Sequence, residues 1–362
     1  MNIDAVRSVL AERHEPPFRL PQIKRAFYVE YLDSWDKVTT LSKATREALS
    51  AEVPWDTLKL VRTQTSEDGN TIKKLFECED GKKIEAVLMR HGDGRNTVCI
   101  SCQVGCPMGC TFCATGTMGF IRNLTPDEIV EQVIAFARLV KEEKAHITNV
   151  VFMGMGEPMH AYPEVMKAVH MINDPEGINL GARHITISTC GIVPGILKLA
   201  DEKIQVNLAI SLHAANNATR TKLMPVNKAY PIEKLMKAID TYTEKTNRKV
   251  FFEYLLINGV NDSERDAEEL ARLLEHNNRL FHVNLIKYHD TNAFAASAKE
   301  RRVSFMHWLQ RLGTQVTHRL TFGEDIDAAC GQLAVNEAAG TLEQGKVAAQ
   351  SNRANRSHGA KA

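Results

Sequence analysis

Thr97-Val98-Cys99-Ile100-Ser101-Cys102-Gln103-Val104-Gly105-Cys106-Pro107-Met108-Gly109-Cys110-Thr111-Phe112-Cys113 reads as a β-strand running into a cysteine-rich loop. The short β-branched start predicts a strand over Thr97–Ser101. Cys106, Cys110 and Cys113 follow at C-x3-C-x2-C spacing, with the aromatic Phe112 before the last thiol. Three thiolates so spaced can ligate three irons of a [4Fe–4S] cube, whereas electron-transfer cubes take four cysteines. The fourth iron is then open to a small molecule. In radical enzymes that molecule is S-adenosylmethionine, held through its amino and carboxylate groups, and the cofactors carry the chemistry. Two plainer readings stay open at this point. A structural zinc site wants a fourth Cys or His at matching spacing, and none follows closely. Three free thiols within eight residues are also an odd way to fill a core.

Outward from this loop, strand-like and helix-like segments alternate. Further strands are expected at Asn149–Met153, His184–Thr189, Gln205–Ser211, Val250–Leu256, Phe281–Ile286 and Gln315–Leu320. Helices are expected between them, at 162–173, 193–201, 231–246, 263–276 and 298–312. Thr125-Pro126-Asp127-Glu128 is a capping box with Pro at the first helical position, opening a helix to about Val140. Repeated βα units imply a parallel sheet, open or curled into a full or partial barrel, with catalytic groups on the loops after the strands. The division expected is a helical region over residues 1–60, a small β extension over 61–95, an α/β core over 96–333 and a disordered tail over 334–362.

Bulk properties narrow the class. A hydrophobic fraction of 44% and a charged fraction of 25% are those of a globular protein. No apolar run reaches membrane-spanning length, and no signal-peptide pattern opens the chain, so a cytoplasmic location is the default. Five of the eight cysteines fall between Cys99 and Cys113, which suits a reducing compartment and not a disulfide framework. The net charge of +1 leaves nucleic-acid contact to local basic patches. One such patch is Arg19, Lys24 and Arg25 on an amphipathic segment that Ile23 and Phe27 would pack.

Other constellations sit at strand ends. Gly154-Met155-Gly156-Glu157-Pro158 follows the second strand; its glycines admit close backbone approach, and Glu157 can accept from an ammonium. Ser188 and Ser211-Leu212-His213 end the next two strands, where a ribose or carboxylate could be held, or where they could merely finish the strands. Cys330 lies in a loop flanked by glycines and acids; a lone thiol in a Gly/Ala-rich loop can be inert, but this setting suggests an exposed loop near a site, where it can react. Cys78, Cys102 and Cys190 read as structural.

These motifs, in order from Cys99 to Gln332-Leu333, resemble the RlmN/Cfr family of radical S-adenosylmethionine RNA adenine methyltransferases. The resemblance runs from about Phe18 to Leu333 and implies a partial (β/α) barrel of the radical SAM type with an N-terminal helical accessory domain that contacts RNA. It implies one [4Fe–4S] cluster on Cys106, Cys110 and Cys113, with S-adenosylmethionine held by Gly156, Glu157, Ser188, Ser211, Leu212 and His213. His289 stands where the family has an asparagine, and Cys102 where it commonly has serine. The implied reaction puts a methyl on Cys330, removes hydrogen from it with a 5′-deoxyadenosyl radical, adds the methylene radical to adenine, and releases product by attack of Cys99 on the Cys330 sulfur. Glu85, otherwise an unremarkable surface charge, matches the family's proton acceptor. The implied target is C2 of an adenosine in 23S ribosomal RNA, with transfer RNA as a further substrate; C8 of the ribosomal adenosine is the runner-up. The implied setting is a monomer supplied with electrons by a flavodoxin or ferredoxin. Against this stand a radical enzyme acting on a protein or metabolite, and a metal-stabilised RNA-binding module without catalysis.

Overall fold

Val98, Val150, Ile185, Ile187, Leu208, Ile210, Val250 and Phe252 share one face of their paired strands and are all buried. In the computed structural model, which describes residues 1–275, 280–289, 291 and 293–333, they form the centre of a ten-stranded sheet. Its strands are β1 (Lys59–Thr65), β2 (Thr71–Glu77), β3 (Lys83–Arg90), β4 (Asn96–Cys99), β7 (Asn149–Phe152), β8 (Ile185–Thr189), β9 (Asn207–Ser211), β10 (Val250–Leu256), β11 (Phe281–Lys287) and β12 (Val316–His318), adjacent in that order. A separate hairpin pairs β5 (Gln103–Gly105) with β6 (Phe120–Asn123). The sheet is antiparallel from β1 to β4 and parallel from β4 to β12. The small β region is thus hydrogen-bonded onto the edge of the βα sheet through Val87↔Cys99 and its neighbours.

No strand pairing joins β12 to β1, yet the loop after β12 crosses to the other end. Asp325 Oδ2 accepts from Glu67 N at 2.8 Å, Lys73 Nζ donates to Asp327 O at 3.2 Å, and Phe322 meets the His91 ring edge-on at 4.8 Å. The sheet therefore curls into a partial barrel that a loop closes.

The helices are α1 (Ile3–Glu12), α2 (Arg19–Tyr28), α3 (Lys43–Glu52), α4 (Ala114–Thr117), α5 (Pro126–Glu142), α6 (Tyr162–Asn173), α7 (Val193–Asp201), α8 (Asn217–Leu223), α9 (Ile232–Thr246), α10 (Glu264–Glu275) and α11 (Lys299–Arg311). The capping box at Thr125 is present with both of its hydrogen bonds. Helices α1 to α3 gather around Phe27, Tyr28, Trp35 and Trp55, with both indole N–H groups donating to backbone carbonyls. This group is fastened to α5 by the bidentate Arg138–Asp56 pair, at 2.7 and 2.9 Å. On α2, Ile23 and Phe27 are buried, whereas Lys24 and Arg25 are exposed. The strands expected at Gln205–Ser211 and Gln315–Leu320 are shorter than read, and the β5–β6 hairpin and α8 escaped the periodicity because each is brief. The tail expected over 334–362 lies outside the described residues. No helix among the described residues is long and apolar enough to cross a membrane.

Candidate active site

The loop after β4 is shaped by the hairpin that interrupts it. Gly105 has φ +73°, and a Cβ there would fall 1.9 Å from Gly119 O. This turn lets Cys106 N donate to Gly119 O at 2.8 Å, and Thr111 N donates to Leu223 O at 3.0 Å. So held, Cys106, Cys110 and Cys113 line one cavity of about 150 Å³. Burial is the main influence on all three thiols: it pushes Cys106 up to about 12, Cys110 well above its usual value and Cys113 upward. In the bare protein they are thiols, and a metal must displace their protons to bind. Among the described residues no three Cys, His, Asp or Glu side chains converge on a single ion. A cube that takes one thiolate per iron needs thiols spread around a cavity instead.

The opposite wall comes from the next three strand ends. Gly154 lies so close to β4's continuation that a Cβ would meet Ile100 O at 2.7 Å, and Gly156, at φ +107°, would meet the Gln103 side chain at 2.7 Å. Gln103 Oε1 accepts from Glu157 N at 2.9 Å. Glu157 is buried; its carboxylate accepts from Met159 N and Cys190 N at 2.9 and 2.8 Å. Desolvation raises its pKa, opposed by the hydrogen bond from Cys190. An ammonium brought into this cavity would offset that desolvation. Ser188, Ser211 and His213 line the same wall. His213, at φ +57°, accepts from Leu255 N at its Nδ1, 3.1 Å away, which leaves Nε2–H as the ring's donor. Burial, helped by Arg220, pushes its pKa down to about 3, so it is neutral. Three thiols, a carboxylate and hydroxyl and imidazole donors around one cavity suit a cluster with an amino-acid-bearing ligand.

Leu212, one residue past the end of β9, is fully buried and is not among the residues that line the cavity. His289 is not on this wall either. It lines a second cavity of about 350 Å³, with its Nδ1 3.5 Å from Glu324 Oε1. The second cavity also holds Cys99, and the two cavities share Met153, Ile286, Arg319 and Cys330. Cys330 is exposed and stands where they meet. Its loop is tied to the cluster loop by Ala114 N, which donates to Gly331 O at 2.8 Å. Burial, then the charge of Cys330, pushes Cys99 up to about 12, against the pull of Arg319.

Glu85 is not a surface charge. Pairing of β2 and β3 buries it, 3.3 Å from Lys73 Nζ, the same ammonium that donates to Asp327 O in the Cys330 loop. It shares the face of β3 that carries Val87, opposite Cys99, but lines neither cavity. Cys102 is buried and pinned by its backbone to Met155 and Leu124, and it lines neither cavity. Cys190, buried in an apolar cluster, also lines the inner one.

Sequence reasoning also missed two arginines. Arg319 lies between the cavities, with Nη1 3.3 Å from Glu253 Oε2 and Asn284 donating to the other Glu253 oxygen at 2.9 Å. Burial lowers its pKa, but Glu253 and the thiols Cys330 and Cys99 more than offset this. Arg220, fully buried, donates to Leu212 O, Cys190 O, Ser211 O and Asn227 Oδ1. Strand-end position was the available signal for Arg319; Arg220 had none.

A model of the radical SAM superfamily matches residues 100–274, which contain the cysteine loop and the strand ends of the inner cavity. A probable dual-specificity RNA methyltransferase RlmN of Bacillus pumilus is 48% identical over 330 residues, covering 91% of each chain. One of Bacillus licheniformis is 47% identical over 337 residues, covering 92% of each. The chain belongs to the RlmN family of radical SAM RNA methyltransferases. A crystal structure of a radical SAM methyltransferase from Sphaerobacter thermophilus, 47% identical, superposes with a TM-score of 0.87 over 92% of this chain and 97% of that one.

Proposed function

We propose that this protein methylates C2 of an adenosine in 23S ribosomal RNA and transfer RNA, in the cytoplasm, by way of a methylated Cys330. The observation that carries this reading is the position of Cys330 at the junction of the two cavities, with Cys99 across the outer one. The relatives bear the RlmN name, which favours C2 over C8.

Cys106, Cys110 and Cys113 would hold the [4Fe–4S] cluster, and Glu157, Gly156, Ser188, Ser211 and His213 the S-adenosylmethionine. When bound, these cofactors supply the methyl group and the radical that activates it. The chain's own residues do the rest. Cys330 carries the methyl between the cavities on a loop fastened at both ends. The outer cavity accepts an adenine only after it leaves its stack, so the RNA must present it splayed out. Glu85 matches the family's proton acceptor; it stands behind the cavity wall, and its Lys73 partner ties it to the Cys330 loop. Cys99 then attacks the Cys330 sulfur. The thioether bond to the base breaks, the carbon leaves with a proton, and the two cysteines end as a disulfide. Helices α1 to α3 form an RNA-contacting domain through Lys24 and Arg25. A flavodoxin or ferredoxin supplies electrons to a monomer.

Mass spectrometry of nuclease-digested ribosomal RNA after treatment with reconstituted enzyme tests the proposal. 2-Methyladenosine is expected; 8-methyladenosine, or no methylated adenosine, contradicts it.

A further inference from the structure

Cys190 stands at the end of β8, and nothing in the reaction above uses it. It is 6% exposed, and what exposure it has opens onto the inner cavity that Cys106, Cys110 and Cys113 line. Cys110 and Cys113 pack against the same apolar cluster as Cys190, so with Cys106 the four thiols line this one cavity. Its backbone is fixed on both sides. Cys190 N donates to Glu157 Oε2 at 2.8 Å, and Arg220 Nη2 donates to Cys190 O at 2.7 Å. The next residue, Gly191, has φ +104° and packs where a Cβ would meet Leu235 at 3.1 Å. The strand end therefore holds the thiol in the cavity. On its other side Cys190 packs with Leu223, Met224 and Leu255, where a small apolar residue would serve equally well. A thiol is the small core side chain that also binds iron.

We propose that Cys190 is an exchangeable fourth thiolate ligand, which caps the open iron while S-adenosylmethionine is absent and yields to it on binding. This rests on the three-thiol cluster of the proposed function. Capping forms one Fe–S bond, and the thiol proton passes to the carboxylate of Glu157, which the Cys190 backbone N–H holds beside it; no electron moves. When S-adenosylmethionine binds, its ammonium loses a proton to solvent and ligates through nitrogen. The Fe–Sγ bond to Cys190 breaks, and Glu157 returns its proton to the sulfur. The cap shields the iron that a three-cysteine cube would otherwise lose most readily to oxidants.

The test uses wild type, Cys190→Ala and the nearly isosteric Cys190→Ser, each reconstituted anaerobically with iron and sulfide and assayed for both. Each is oxidised with one equivalent of ferricyanide, with and without S-adenosylmethionine, and the [3Fe–4S] product is quantified by electron paramagnetic resonance. Without S-adenosylmethionine the two variants should form several-fold more [3Fe–4S] than wild type. With it, all three should fall to one low level. Equal yields from all three in the absence of S-adenosylmethionine overturn the role of Cys190 alone. A wild type that takes up no cluster overturns the three-thiol reading, and this inference with it. Should Cys190→Ala take up no cluster, Cys190→Ser decides by the same comparison.

Discussion

His213 is held in a strained left-handed conformation, its ring set edge-on against Phe112 at 4.8 Å and its Nδ1 occupied by Leu255 N. A buried ring kept neutral at about pKa 3 makes stability depend on pH. Below the unfolded value of about 6.5 the unfolded chain binds a proton that the folded chain refuses, so stability falls as pH falls. Between pH 7 and 5 this costs about 2 kcal/mol. Urea unfolding of His213→Gln should lose that much less over the interval than wild type, and parallel losses would show that His213 is not the group. Residue-scale features were unevenly legible. The cysteine triplet announces itself because cluster ligands are set by local spacing. Glu85 does not, because its burial and its Lys73 partner come from β2 pairing with β3, which single-residue patterns do not encode.

Glycines and one arginine shape the elements around the inner cavity. Gly156→Ala would force both a disfavoured φ and a Cβ 2.7 Å from Gln103 Cβ, so the loop must move away from β5 and take Glu157 with it. Equilibrium dialysis should show S-adenosylmethionine affinity falling at least tenfold, about 1.4 kcal/mol, with cluster content unchanged; unaltered affinity would remove the Gly156 loop from the binding site. Arg220 stitches the ends of β8 and β9 together through three carbonyls. Removing it in Arg220→Met leaves those buried acceptors without their donor, at a cost of about 3 kcal/mol in a denaturant titration. A loss under about 1 kcal/mol would mean that water replaces it. The βα alternation was readable because strands and helices bury apolar residues with different periods. The β5–β6 hairpin was not, since three or four residues carry no period, and the turn depends on Gly105, where φ is +73° and a Cβ would collide with Gly119 O.

At the scale of the whole molecule, the curl of the sheet brings distant residues together. Cys99 ends β4, whereas Cys330 follows β12, with five strands lying between those two in the sheet. Only the loop that crosses to Glu67, Lys73 and His91 places both thiols on one cavity, and no local pattern foretells that closure. The family resemblance supplied it instead. The helices at the other end carry Lys24 and Arg25 on an exposed face. Reversing both charges should weaken RNA binding and lower the slope of log affinity against log salt by about one per residue, while leaving methylation of Cys330 intact. A slope unchanged in filter-binding assays would take RNA off that face. The central claim is that Cys330 carries the methyl and Cys99 releases it. Its most direct test is intact-mass and denaturing-gel analysis of Cys99→Ala and Cys330→Ala incubated with S-adenosylmethionine, reductant and RNA. Cys99→Ala should accumulate a covalent RNA–protein adduct, and Cys330→Ala should form neither adduct nor methylated RNA. Normal turnover by Cys99→Ala without an adduct would contradict the account.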